Sequence, residues 1–322
     1  MRFKITIIFL SFAIGLVSNA QEKTDWKNDL VKAIRSDNTN EVAQILSGRP
    51  RYPDTELNEN EITPLMVACR AGSCRVVEYL FLQGANPNAK TKIESGTALL
   101  GASDRGFLDI VQLLVEHGAD VNHKDSRDWS PLIAALDQNH SAVAEYLINR
   151  GADVEVRLQS GRDALMVAAE HGATNLIHLL IEKGAKLNHS DDNGCHALID
   201  AASAGQAATV NLLLKEGAQI DQPNHDGWTA LSQAAALGFC DVVKVLCDGG
   251  ANLGLKNKFG RTALNYAQGI TGTNSITTGG DIQALVEKGV IAEDEVSYVL
   301  ARNGSGRDFI CVLDALKACQ RK

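Results

Sequence analysis

Apolar residues along this chain fall into short paired blocks that recur every 33 or 34 residues, with polar stretches between the pairs. The first block of each pair opens at Thr63-Pro64-Leu65, Thr97-Ala98-Leu99, Ser130-Pro131-Leu132, Asp163-Ala164-Leu165, His196-Ala197-Leu198, Thr229-Ala230-Leu231 and Thr262-Ala263-Leu264. A Thr or Ser ahead of Pro-Leu predicts a helix start, because the hydroxyl caps free amides and proline is tolerated at the first helical position. Nine residues on comes Gly72, Gly106, Gly172, Gly205 or Gly238, with Asn139 standing in once, and each predicts a left-handed helix end. A second helix follows with an i, i+3, i+4 stripe, as in Val210, Leu213 and Leu214. It stops at a Gly-Ala pair such as Gly118-Ala119 or Gly217-Ala218. Each unit therefore reads helix, turn, helix, extended loop. One such hairpin cannot hide its apolar face alone, and stacking solves that problem. The prediction is an all-α solenoid.

The ends depart from the period. Arg2 and Lys4 precede an apolar run from Ile5 to Val17, and Ser18-Asn19-Ala20 supplies small residues beyond it. This is the pattern of a secretory signal peptide cleaved after Ala20, shorter than the ~20 residues a membrane-spanning helix needs. No Cys follows the run where a bacterial lipid anchor would need one. Residues 24–48 look like a degenerate first unit, with Leu30, Ala33, Ile34, Val42, Ile45 and Leu46 on its apolar side. A connector, Arg49 to Ile62, follows it. After the last start a Gly/Thr-rich insertion spans 271–280, and two closing helices are expected over Glu293–Ala301 and Asp308–Ala318.

These residues resemble the ankyrin repeat, whose unit opens T-P-L-H, carries a central Gly and a V-V-x-x-L-L second helix, and ends G-A-D-V-N. Gly118-Ala119-Asp120-Val121-Asn122 matches that ending residue for residue. The resemblance covers roughly residues 60 to 289 and implies stacked helix-turn-helix units with loop or β-hairpin tips and capping helices. The division expected is a signal peptide at 1–20, a capping repeat and connector at 21–58, seven repeats at 59–289 and C-terminal capping helices at 290–322. The family's His after Leu is replaced by Met66, Leu100, Ile133, Met166, Ile199, Ser232 and Asn265. That departure implies fewer hydrogen bonds tying one loop to the next.

Composition and charge narrow the function. Apolar residues make up 45% and charged residues 22%, which is ordinary for a folded chain. Formal net charge is −8, and loss of Arg2 and Lys4 with the signal peptide takes it to −10. That balance opposes a nucleic-acid partner and suits a neutral or basic protein. Of seven cysteines, most are expected to be small buried hydrophobes. Cys69 with Cys74, and Cys311 with Cys319, are the local pairs that an oxidising compartment would allow.

The sequence holds no Gly-x-Ser-x-Gly elbow and no H-E-x-x-H pair, and the glycines of 269–280 lack the Lys of a phosphate loop. His171 and His178 have no further ligands at metal spacing. No catalytic residue, metal or cofactor is expected. The resemblance places ligand contacts on the loop tips and the exposed side of the first helices, together a concave face. Carried over position by position, the candidates are Arg127, Trp129, Arg162, Trp228 and Phe259 on tips. Those on the helices are Arg70, Asp104, Arg105, Asp137, Glu170 and His171. Trp129 and Trp228, expected to be exposed with Arg127 and Arg162 beside them, form the preferred patch, since Trp and Arg anchor interfaces. The expected function is a monomeric, non-catalytic scaffold or inhibitor that grips another protein in an exported compartment, secreted or periplasmic. A secreted sensor or effector acting on a host protein is the alternative. An enzyme with its site in residues 270–322 is disfavoured by the size of that region.

Overall fold

Helix starts are set where the sequence placed them. In the computed structural model, which describes residues 26–49, 52–271 and 309–321, the side chains of Thr63, Thr97, Ser130, Asp163 and Thr229 each accept a hydrogen bond from the amide three residues on, at 2.9–3.3 Å. The signal-peptide residues, the 271–280 insertion beyond Thr271, the rest of the last repeat at 272–289 and the helix expected at 293–301 lie outside the described residues.

Two compact bodies divide the chain, residues 1–151 and 152–322. In the first, the helices are α1 (26–35), α2 (Thr39–Leu46), α3 (Pro64–Ala71), α4 (Cys74–Leu82), α5 (Ala98–Arg105), α6 (Leu108–Glu116), α7 (Pro131–Asp137) and α8 (Ser141–Asn149). In the second they are α9 (Ala164–Glu170), α10 (Thr174–Glu182), α11 (Ala197–Ser203), α12 (Ala207–Lys215), α13 (Ala230–Leu237), α14 (Cys240–Asp248), α15 (Ala263–Thr271) and α16 (Phe309–Cys319). No strand occurs among the described residues; a single antiparallel bridge joins Arg157 to Asp163.

Each body is layered. First helices of the repeats stack on one another, α3 on α5 on α7 and α9 on α11 on α13 on α15, while second helices form the other layer. Small side chains make the close approach workable: Ala102 in the first body and Ala168, Ala201, Ala202, Ala234 and Ala235 in the second are fully buried. Larger aliphatic residues such as Leu114, Leu147, Leu180 and Leu213 fill the space between the layers and are also fully buried. The turn between paired helices is close-packed too. Gly205 has φ +75, and a Cβ there would come 2.8 Å from the ring of Phe239 in the following repeat. Asn139, the stand-in, adopts the same left-handed conformation at φ 57.

At the N-terminal end, α1 and α2 bury Leu30, Ala33, Ile34, Val42 and Leu46. Asp37 binds them to the array, accepting from the Val76 amide at 3.0 Å and pairing with Arg75 at 2.8 Å. At the C-terminal end, α16 packs against α14 and α15 as α14 packs against α12 and α13. It thus takes the second-helix place beside α15. Cys311 of α16 is disulfide-bonded to Cys240 of α14, with Cα atoms 5.7 Å apart. This corrects the local pairs expected from spacing, since Cys69, Cys74 and Cys319 are free. Cys69 lies fully buried among the helices. Adjacent positions in sequence guide a crosslink less than the contact between two elements far apart in it.

Candidate protein-binding surface

The loops between repeats fold into tight hairpin tips by one recurring device. Asp125, Asp191, Asn224 and Asn257 stand at equivalent positions, and the backbone amide of each donates to the carbonyl four residues on, at 2.8–3.0 Å. The side-chain oxygen of each then accepts from the amides two and four residues later, at 2.8–3.2 Å. The fourth tip residue must turn left-handed. Gly227 does so at φ +78, and a Cβ there would lie 2.8 Å from the backbone of Asn257. Arg49 to Ile62, expected as a connector, ends in a variant of this tip: Asn58 accepts from the Asn60 and Ile62 amides at 3.0 and 3.4 Å, Leu57 donates to the Ile62 carbonyl five residues on at 2.8 Å, and Glu61 turns at φ 58.

Neighbouring tips are bolted together. In the first body Lys92 donates to Asn60 at 3.0 Å and Ser126 to Glu94 at 2.9 Å; in the second, Asp192 donates to Ser160, His225 to Asn193 and Lys258 to Asp226 at 2.8–3.1 Å. Asn88 adds a second rung, donating to Gly118 at 2.9 Å while accepting from Asp120 at 2.8 Å. The expectation of sparse loop-to-loop bonding is therefore corrected. Histidines at other positions replace the missing one: His123 donates to Ser95 at 2.6 Å, His189 to Gly161 at 3.0 Å and His196 to Gln222 at 3.1 Å. His196 occupies a helix-start position but caps nothing, because its ring reaches the next loop instead. Burial holds its pKa below the ordinary value, which keeps the ring neutral.

On this frame the candidate side chains sort by body. In the first, Arg127 is exposed, paired at 3.2 Å with the buried carboxylate of Asp125, and its guanidinium lies 5.9 Å from the centre of the half-buried Trp129 ring. Arg70 is exposed on the last turn of α3, and its side chain lies across Gly101, where a Cβ would leave only 2.9 Å. Arg105 is exposed, while Asp104 and Asp137 are half-buried; the Asp137 carboxylate accepts from Gln138 at 3.0 Å.

In the second body Arg162 meets two carboxylates, Glu170 at 2.6 Å and Asp200 at 3.4 Å. Burial would lower the guanidinium pKa, but Asp200 and Glu170 outweigh it and raise it. Burial pushes Asp200 up to about 7, with Arg162 opposing the rise and Glu170 and Asp191 adding to it. Asp200 was not among the expected residues. Its signal was a charge in α11 at the position filled by Val67, Gly101, Ala134 and Val167 in earlier repeats. His171 is half-buried at the end of α9, and Phe259 is half-buried with Lys258 4.9 Å from its ring centre.

Trp228 requires a correction. It is 8% exposed and stacks on Tyr266 of the next repeat at 4.8 Å between ring centres, so it belongs to the core rather than the exposed patch. The physical reason is a partner invisible in its own repeat. Tyr266 offers a broad apolar ring on α15, and Asn257 satisfies its hydroxyl at 2.6 Å. The structure thus joins Arg127 with Trp129, and Arg162 with Glu170, and takes Trp228 inward.

A chain built of stacked helix pairs with bolted hairpin tips is a helical repeat protein, and comparison with known families specifies which. The family described as ankyrin repeats (3 copies) matches residues 65–158 and 151–224, and the single ankyrin repeat matches residues 226–258. The chain belongs to the ankyrin-repeat family. Among solved structures, the human ASB11 ankyrin repeat domain is similar at a TM-score of 0.59 and 25% identity, over 70% of this chain and 98% of that one. Among curated relatives, a glycerophosphocholine phosphodiesterase of Eremothecium gossypii is 37% identical over 87 residues, which are 27% of this chain and 7% of that protein. The mouse B-cell lymphoma 3 protein homolog is 39% identical over 71 residues, 22% of this chain and 16% of the other. The chain spans only a small part of the curated relatives it matches.

Proposed function

We propose that this chain is a non-catalytic protein-binding scaffold or inhibitor that acts, as a monomer, in an exported compartment. The observation carrying this reading is the commitment of tip backbone to internal hydrogen bonds in repeat after repeat. With the main chain fixed, only side chains differ between tips, and they stand at set spacings on rigid supports, which limits the ordering entropy lost on binding. Arg127 with Trp129, and Arg162 with Glu170, are the contacts assigned to the partner, with the exposed Arg70 and Arg105 beside the first pair's repeats. The partner is a neutral or basic protein, in keeping with the chain's negative charge.

Export is supported by the basic-apolar-small pattern of the first twenty residues. The Cys240–Cys311 disulfide also suits an oxidising compartment. The phosphodiesterase relative matches over its ankyrin repeats, so that name carries no activity here.

The test is affinity capture from the chain's native compartment, with parent and with the double variant Arg127→Ala, Trp129→Ala. A specific partner should be retained by the parent and weakened at least tenfold by the variant. Equal retention by both would remove this patch from the interface, and retention of no protein at all would overturn the scaffold reading.

A further inference from the structure

α16 is the last described helix and sits on α14 and α15. Among its described side chains, Val312 and Leu316 are fully buried, four residues apart on one stripe facing α14 and α15. A short helix of eleven residues is marginal in water without packing. A covalent bond adds to this packing. Cys240 stands at the first position of α14 and Cys311 at the third of α16, and the bond between them closes a stretch of 71 residues. Both residues are half-buried.

We propose that the Cys240–Cys311 disulfide is a redox latch that decides whether α16 stays seated over α14 and α15. In the oxidised chain the bond holds Val312 and Leu316 in place. Opening it takes two electrons from a dithiol reductant. One thiolate of the reductant attacks either sulfur and forms a mixed disulfide; its second thiolate then displaces the bound cysteine. The products are two protonated cysteines and the cyclic disulfide of the reductant. With the bond gone, packing alone holds α16, and it exchanges between seated and released forms, uncovering the apolar surface of α14 and α15. The latch is independent of which protein the tips bind.

The experiment uses the full chain purified without reductant, with dithiothreitol as the probe. Peptide mass spectrometry should recover Cys240 and Cys311 crosslinked. Hydrogen exchange of the α16 amides should then speed up at least tenfold with dithiothreitol, while α9–α12 stay unchanged. Cys311→Ser, at the edge of the fold, should exchange quickly with and without the reductant, and Cys69→Ser should behave as the parent does before and after reduction. Alkylation of Cys240 and Cys311 in the unreduced chain would overturn the proposal. So would α16 protection that is the same with the bond intact, reduced or deleted.

Discussion

Asp200 shows what one residue contributes when it breaks the pattern of its column. Its side chain retains 17% of its exposure and shares one guanidinium with Glu170. With its pKa near 7 in the fold, against about 3.9 in an unfolded chain, the native state holds this proton more tightly than the unfolded state does. The linkage sign follows: this group favours folding fully below about pH 4 and loses that contribution as pH rises towards 7. Asp200→Asn removes the titration. Urea unfolding should show the variant gaining on the parent between pH 5 and pH 8, by about 2.5 kcal/mol at most. His196, whose neutral form is favoured, has the opposite dependence, lost as pH falls through its lowered pKa, but it is common to both chains and cancels in the difference. An equal difference at both pH values would mean that Asp200 is ionised throughout.

Helices and tips were legible to different depths. Capping Thr, Ser and Asp, the Gly stops and the stripe ending at Leu213 are local signals, and the helices begin and end with them. Leu213 is fully buried between repeats, so Leu213→Ala should cost about 2–5 kcal/mol through the cavity it leaves. Chemical denaturation monitored by circular dichroism measures this, and a loss below about 1 kcal/mol would place the side chain outside the interior. The tips were legible only as polar stretches. Their Asp and Asn turns, and the rungs at Asn88 and His123, depend on what the next repeat presents across the junction.

At the scale of the molecule, each helix pair is supported by the pairs beside it, so position in the array sets local stability. In the first body α5 and α6 have packed repeats on both sides, whereas α2 packs on α4 on the inner side of the array. Amide exchange should therefore be faster in α1 and α2 than in α5 and α6, although Leu30, Ile34 and Leu46 are fully buried. Uniform protection through that body would show that it opens as a single cooperative block.

What the sequence determined alone is the period, the helices, their stops and the family, because caps, glycines and apolar stripes act within a few residues. The tertiary structure decided what depends on contacts across a junction or between distant segments: that Trp228 turns inward onto Tyr266, that Arg162 is shared by Glu170 and Asp200, and that Cys311 finds Cys240. Each of those choices is made by a neighbour at least eight residues away in the chain, and only stacking brings such neighbours within reach.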